Sequence, residues 1–80
     1  MWTRVHWDPT NEGKIAANGV AKEEVEEVLF GPRTVWDQSR SSGRLIGTGW
    51  TTTGRLIAVP IDEIDADTVR PVTAFEVGDD

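Results

Sequence analysis

Eighty residues without a cysteine, 38% of them hydrophobic and carrying a formal charge of −6, with a sequence pI near 4.6, describe one small acidic domain spanning residues 1–80. At this length folding buries only about 60% of the surface an unfolded chain exposes, so the core is thin; disulfide stapling and thiolate metal sites are excluded. The longest apolar run, Leu56 to Ile61, is too short to span a bilayer, and the amino terminus lacks the basic-then-apolar pattern of a signal peptide, so a soluble cytoplasmic protein with no membrane partner is expected.

Trp2 to Trp7 alternates, Val5 and Trp7 on one side and Arg4 and His6 on the other, which predicts a strand with one buried face. Asp8 suits an N-cap and Pro9 the first helical position, so helix one is predicted over Pro9 to Ala17, ended by Asn18-Gly19 in the left-handed region. Helix two is predicted from about Ala21, with Ala21, Val25, Val28 and Leu29 as its apolar stripe and Glu23, Glu24, Glu26 and Glu27 on the other side; Gly31-Pro32 stops it. Arg33 to Trp36 is a weak strand candidate. Gly43 to Trp50 and Arg55 to Ile61 form a predicted hairpin around Thr51-Thr52-Thr53-Gly54, and Thr68 to Phe75 returns after the acidic loop Asp62 to Asp67. Pro60 breaks an amide ladder and places its strand at an edge or a bulge, where a partner could add to the sheet. The order predicts an α+β fold: an N-terminal strand, two helices, then a three- to four-stranded antiparallel meander with the helices on one face.

Charge is unevenly spread. From Asp62 onward seven acids face the single base Arg70, whereas Arg33, Arg40, Arg44 and Arg55 lie in the middle. Nucleic-acid affinity comes mainly from neutralising phosphates, so an acidic chain must gather its cations on one face to hold RNA.

Val5-His6-Trp7-Asp8, Asn18-Gly19-Val20, Gly54-Arg55-Leu56-Ile57 and Val69-Arg70-Pro71-Val72-Thr73-Ala74, in this order, resemble the BrnT-type toxins of bacterial toxin–antitoxin pairs, small ribonucleases of the RelE-like superfamily. The resemblance covers nearly the whole chain. It implies a BrnT/RelE-like fold, an antitoxin protein as partner, RNA as substrate and no metal or cofactor. It also implies metal-independent cleavage, in which Arg or Lys stabilises the charge developing on the phosphate attacked by the 2′-hydroxyl. Carried onto this chain, Arg44, Arg55 and Arg70 are the catalytic candidates, with Arg40 and Trp50 as RNA contacts; Arg44 and Arg55 open the two hairpin strands, and hence lie at opposite ends of the hairpin. Several positions depart from the family pattern. Phe75 stands where the last strand commonly carries arginine, Gly49 or Trp50 where the first hairpin strand does, and Asn18 replaces a turn histidine. The basic carboxy-terminal helix of many members is not expected, since the chain ends at Gly78-Asp79-Asp80.

Plainer roles compete for each residue. His6 reads as a solvated strand residue as well as a candidate base; Asp8 reads as a cap, and Asn11 and Lys14 as capping and solvated groups. Asp62, Glu63, Asp65 and Asp67 lack the glycine and distal glutamate of a calcium loop, and read as a hydrated turn. Trp7 is expected in the core, and Trp36 and Trp50 either close the core or offer a stacking surface to a base. Two readings result: a toxin-like ribonuclease, intact or weakened, held by an antitoxin, and a non-catalytic module on the same fold that binds a protein partner or itself as a homodimer.

Overall fold

In the computed structural model, which describes residues 2–78, the first strand closes at Val5 and Asp8, three residues on, caps the first helix. Asp79 and Asp80, counted above among the acids of the last third, lie outside the described residues. Helix α1 spans Pro9–Ala17 as predicted. The Asp8 carboxylate accepts from the Asn11 amide at 2.9 Å and the Asn11 side-chain oxygen accepts from the Asp8 amide at 2.9 Å, a reciprocal cap. At the far end Asn18 keeps right-handed backbone angles and Gly19 alone turns left-handed, at φ 74°, where a side chain would be strained.

Helix α2 spans Lys22–Leu29 with Ala21 as its cap residue. Val25, Val28 and Leu29 are buried as predicted, whereas Ala21 is exposed. The strands are β1 (Arg4–Val5), β2 (Val35–Gln38), β3 (Leu45–Trp50), β4 (Leu56–Glu63), β5 (Thr68–Pro71) and β6 (Phe75–Glu76). They form one sheet in the order β1-β5-β4-β3-β2, with β6 also on β4. The architecture is therefore α+β, with two helices and a mixed sheet: β1 runs parallel to β5, and the other pairs are antiparallel.

One expectation fails here, and another is resolved between its two alternatives. The predicted single strand Thr68 to Phe75 is split, because its partner numbers shift by one: Ile61 faces Pro71, but Ala58 faces Phe75. Three residues, Val72 to Ala74, thus oppose two, Val59 and Pro60, and this extra residue is a bulge. Pro60 itself lies in the central strand, not at an edge. Its carbonyl accepts from the Val72 amide at 2.8 Å, so its ring nitrogen faces the same side, where the bulge already interrupts the ladder and no donor is missed.

Alternation along the strands separates two faces. Ile57, Val59, Ile61 and Val69 point under the helices and join Ile15, Val20, Val25, Val28, Leu29 and Ala74 in one core, with Trp2, Val5, Trp7, Trp36 and Leu45 packed around it. Trp36 lies across Gly47, its cross-strand partner. A methyl group at Gly47 would meet the indole at 2.8 Å, so the glycine makes room for the ring. Asn11, with no exposed surface, ties the layers together: its amide group donates to the carbonyls of His6 and Pro71, each at 2.9 Å.

Candidate functional site

The open face of the sheet, opposite the helices, carries the residues that alternate with the core, in successive cross-strand rows. One row joins Val35, Thr48, Ala58 and Phe75; the next joins Trp50 to Leu56, whose carbonyl accepts from Val77 at 2.8 Å. Val35, Trp50, Phe75 and Val77 are exposed there, Trp50 at 70%. The indole of Trp50 stands between two shallow hollows, one lined by Gly31, Pro32 and Arg33, the other by Gly54, Leu56 and Val77. Of the alternatives left open for the tryptophans, Trp36 belongs to the core margin and Trp50 to the surface.

At the other end of the same face the residues become charged. Arg44 lies beside Asp62 and donates to both of its oxygens, at 2.8 and 3.4 Å; this partner raises the guanidinium pKa. Arg70, although its backbone pairs with Asp62, turns to Asp8 and donates at 2.9 and 3.4 Å. The Arg70 hydrogen bond, reinforced by the Asn11 amide, holds the Asp8 carboxyl at about 2. His6 Nε2 lies 3.5 Å from the same carboxylate. Asp8 is therefore a cap, as expected, and also the counter-ion of a candidate catalytic arginine.

Arg55 sits elsewhere. It immediately precedes β4 on the helix side, and its Nη1 donates to Glu24 at 2.8 Å and to the Gly19 carbonyl at 3.0 Å, while Nε reaches Glu76 at 3.3 Å. Glu24 was expected with the solvated glutamates of the second helix; it is only 7% exposed. It accepts from the Ala21 amide and the Thr53 hydroxyl as well as Arg55, and these donors hold its pKa below the ordinary carboxylate value. Glu27 accepts from the Thr52 amide and hydroxyl. The β3–β4 turn is thus latched to α2 by two glutamates. The available sequence signal was spacing, since Glu24 lies four residues before the buried Val28 and shares its side of the helix.

The candidate set does not converge. Arg44 and Arg70 share the charged end of the open face, each bound to a carboxylate. Arg55 lies across the sheet and at the opposite end of the β3–β4 hairpin, seven residue steps from Asp62, the partner of Arg44, or roughly 23 Å along an extended strand. Arg40 is exposed in the loop between β2 and β3 and forms no ion pair among the described residues. The acidic loop closes as a turn: Asp65 accepts from the amides of Asp67 and Thr68 at 2.8 and 2.9 Å, which lowers its pKa.

No helix among the described residues is long and apolar enough to cross a membrane. No family model matches the chain, and no curated protein matches it.

Proposed function

We infer that this protein is a non-catalytic protein-binding module on a toxin-like scaffold, whose partner, antitoxin-like in role, covers the apolar end of the open sheet face around Trp50. The order of strand, two helices and returning strands supports the toxin-like scaffold. The observation that carries the non-catalytic reading is that Arg44, Arg55 and Arg70 each already hold a carboxylate of their own chain. A guanidinium that must stabilise new charge on a phosphate would first have to give up a bidentate or buried partner.

The partner is heterotypic and basic at its rim. Two copies at −6 each repel, whereas a cationic flank would meet Asp37 beside the apolar rows. Trp50 supplies the kind of rigid, exposed aromatic anchor on which binding energy concentrates.

Strong expression of the chain alone in a bacterial host should leave growth and cellular RNA intact. Growth arrest with RNA cleavage, relieved by Arg44→Ala or Arg40→Ala, would return the ribonuclease reading. If a small basic protein is encoded beside this one, it should form a heterocomplex that Trp50→Ala weakens roughly 10- to 100-fold. Binding indifferent to Trp50 and Phe75, or a stable homodimer, would overturn the surface assignment.

A further inference from the structure

A cavity of about 700 Å³ opens between the end of α2, β2 and the start of the chain, lined chiefly by Trp2, Trp36, Leu29, Phe30, Pro32 and Glu63. It lies on the helix side of the sheet and adjoins the hollow beside Trp50 at Gly31 and Pro32. Two of its walls are indoles packed edge to face, with ring centres 5.2 Å apart and planes at 64°. One oxygen of Glu63 accepts from Trp2 Nε1 at 3.2 Å, which fixes the carboxylate against the ring. Glu63 forms no ion pair with any cation among the described residues.

These features select for positive charge. An indole face attracts a cation through its ring quadrupole, the unpaired carboxylate adds a full negative charge, and α2 ends here with no basic residue in its last turn, so the negative pole of its dipole is uncompensated. Arg4 acts on Asp65 at the neighbouring turn. An anion would be repelled, and a neutral apolar group would leave the carboxylate unused. The volume lies within the usual range for a small-molecule pocket, and the remaining walls are apolar.

We propose that this cavity is a binding site for an alkylammonium group, held by Trp2 and Trp36 with Glu63 as its counter-ion. The group can be a free organic cation or an alkylated lysine side chain, which share this chemistry.

The test uses choline, its uncharged isostere 3,3-dimethylbutan-1-ol, and a short peptide bearing trimethyl-lysine, each titrated into the full chain. The indole N–H signals are followed by NMR, with Trp2 assigned through Trp2→Phe. Saturable movement of the Trp2 and Trp36 signals is expected, with Trp7 and Trp50 unmoved and choline at least about fivefold tighter than the neutral isostere. Glu63→Gln, at an exposed position, should weaken choline about fivefold and leave the isostere within a factor of about two, a charge-specific change that loss of packing does not produce. Preference between choline and the peptide identifies the source of the cation. Equal affinity for choline and the isostere, indifference to Glu63→Gln, or movement centred on Trp50 would each overturn the proposal.

Discussion

Replacing Arg55 by methionine keeps most of the side-chain stem and removes the guanidinium, leaving Glu24 buried with two of its donors, the Ala21 amide and the Thr53 hydroxyl. Orphaning one member of a fully buried ion pair costs about 3–5 kcal/mol. The Arg55 side chain is 27% exposed, so water partly replaces it, and a single hydrogen bond to a charged group contributes about 1.5–3 kcal/mol. We expect a loss of about 2 kcal/mol at pH 7, a large share of the roughly 4–12 kcal/mol that a domain of this size holds. The melting temperature should fall by roughly 8–16 °C.

The assay is urea unfolding of the wild type, Arg55→Met, Glu24→Gln and the double variant, which isolates the pairwise coupling. A coupling near 1 kcal/mol is expected, because Glu24→Gln removes the charge that makes the orphan costly. Acid supplies an independent check. The folded pKa of Glu24 is lowered from 4.5, so its contribution is complete above that value and is lost as pH falls through the folded pKa. The gap between wild type and Arg55→Met should therefore narrow in strong acid. A loss at pH 7 below about 0.5 kcal/mol, the level of a surface pair, or a gap unchanged from pH 7 to strong acid, would refute the argument.

Asn11→Ala should cost about 3 kcal/mol in chemical denaturation, since it removes the Asn11 half of the reciprocal cap and orphans the part-buried carbonyl of His6 and the buried carbonyl of Pro71; a cost below about 1 kcal/mol, the level of an ordinary cap, would show that those carbonyls find other donors. Asp8 has its folded pKa lowered from 3.8 to about 2, so its contribution is full above 3.8 and disappears as pH drops toward 2. Asp8→Asn, less stable at pH 7, should lose less between pH 4 and 2 than the wild type, and parallel acid limbs would contradict the pairing with Arg70. Gly47→Ala forces a methyl into the Trp36 ring at 2.8 Å and should destabilise by about 1–3 kcal/mol while altering the near-ultraviolet circular dichroism of the Trp2–Trp36 pair; an unchanged spectrum would show that the ring does not rest on this glycine.

What could be read ahead of the structure was what depends on neighbours in sequence. Helix α1 is legible residue by residue, because Asp8, Pro9 and Asn18-Gly19 act within one turn of the element they bound. The split of β5 from β6 is not, since the bulge exists only relative to β4. Which of the two readings of Pro60 holds is hidden for the same reason: a missing amide donor fits an edge or a bulge alike, and only the pairing with the neighbouring strand shows the bulge opposite it. The parallel docking of β1 on β5 brings Arg4 beside Thr68 and is equally invisible in local patterning. The glutamates of α2 were read as a solvated face because the groups that claim two of them, Thr52, Thr53 and Arg55, lie at least 25 residues away.

The arginines illustrate the limit most sharply, since a sequence counts charges but does not show how they are spent. Four of the eight Lys and Arg residues are engaged in ion pairs among the described residues: Lys22, Arg44, Arg55 and Arg70. Each of the three arginines joins elements that a thin core holds only weakly: Arg44 joins β3 to β4, Arg70 joins β5 to the cap of α1, and Arg55 joins β4 to α2 and β6. Binding a phosphate at any of them would exchange one anion for another, with no net neutralisation to drive association, and would loosen a junction of a domain with little stability in reserve. In this scaffold, guanidinium groups cannot serve as junction clamps and as a polyanion surface at once. The geometry shows Arg44, Arg55 and Arg70 serving as clamps, and the apolar rows around Trp50 are the part of the open face that carries none of these partnerships.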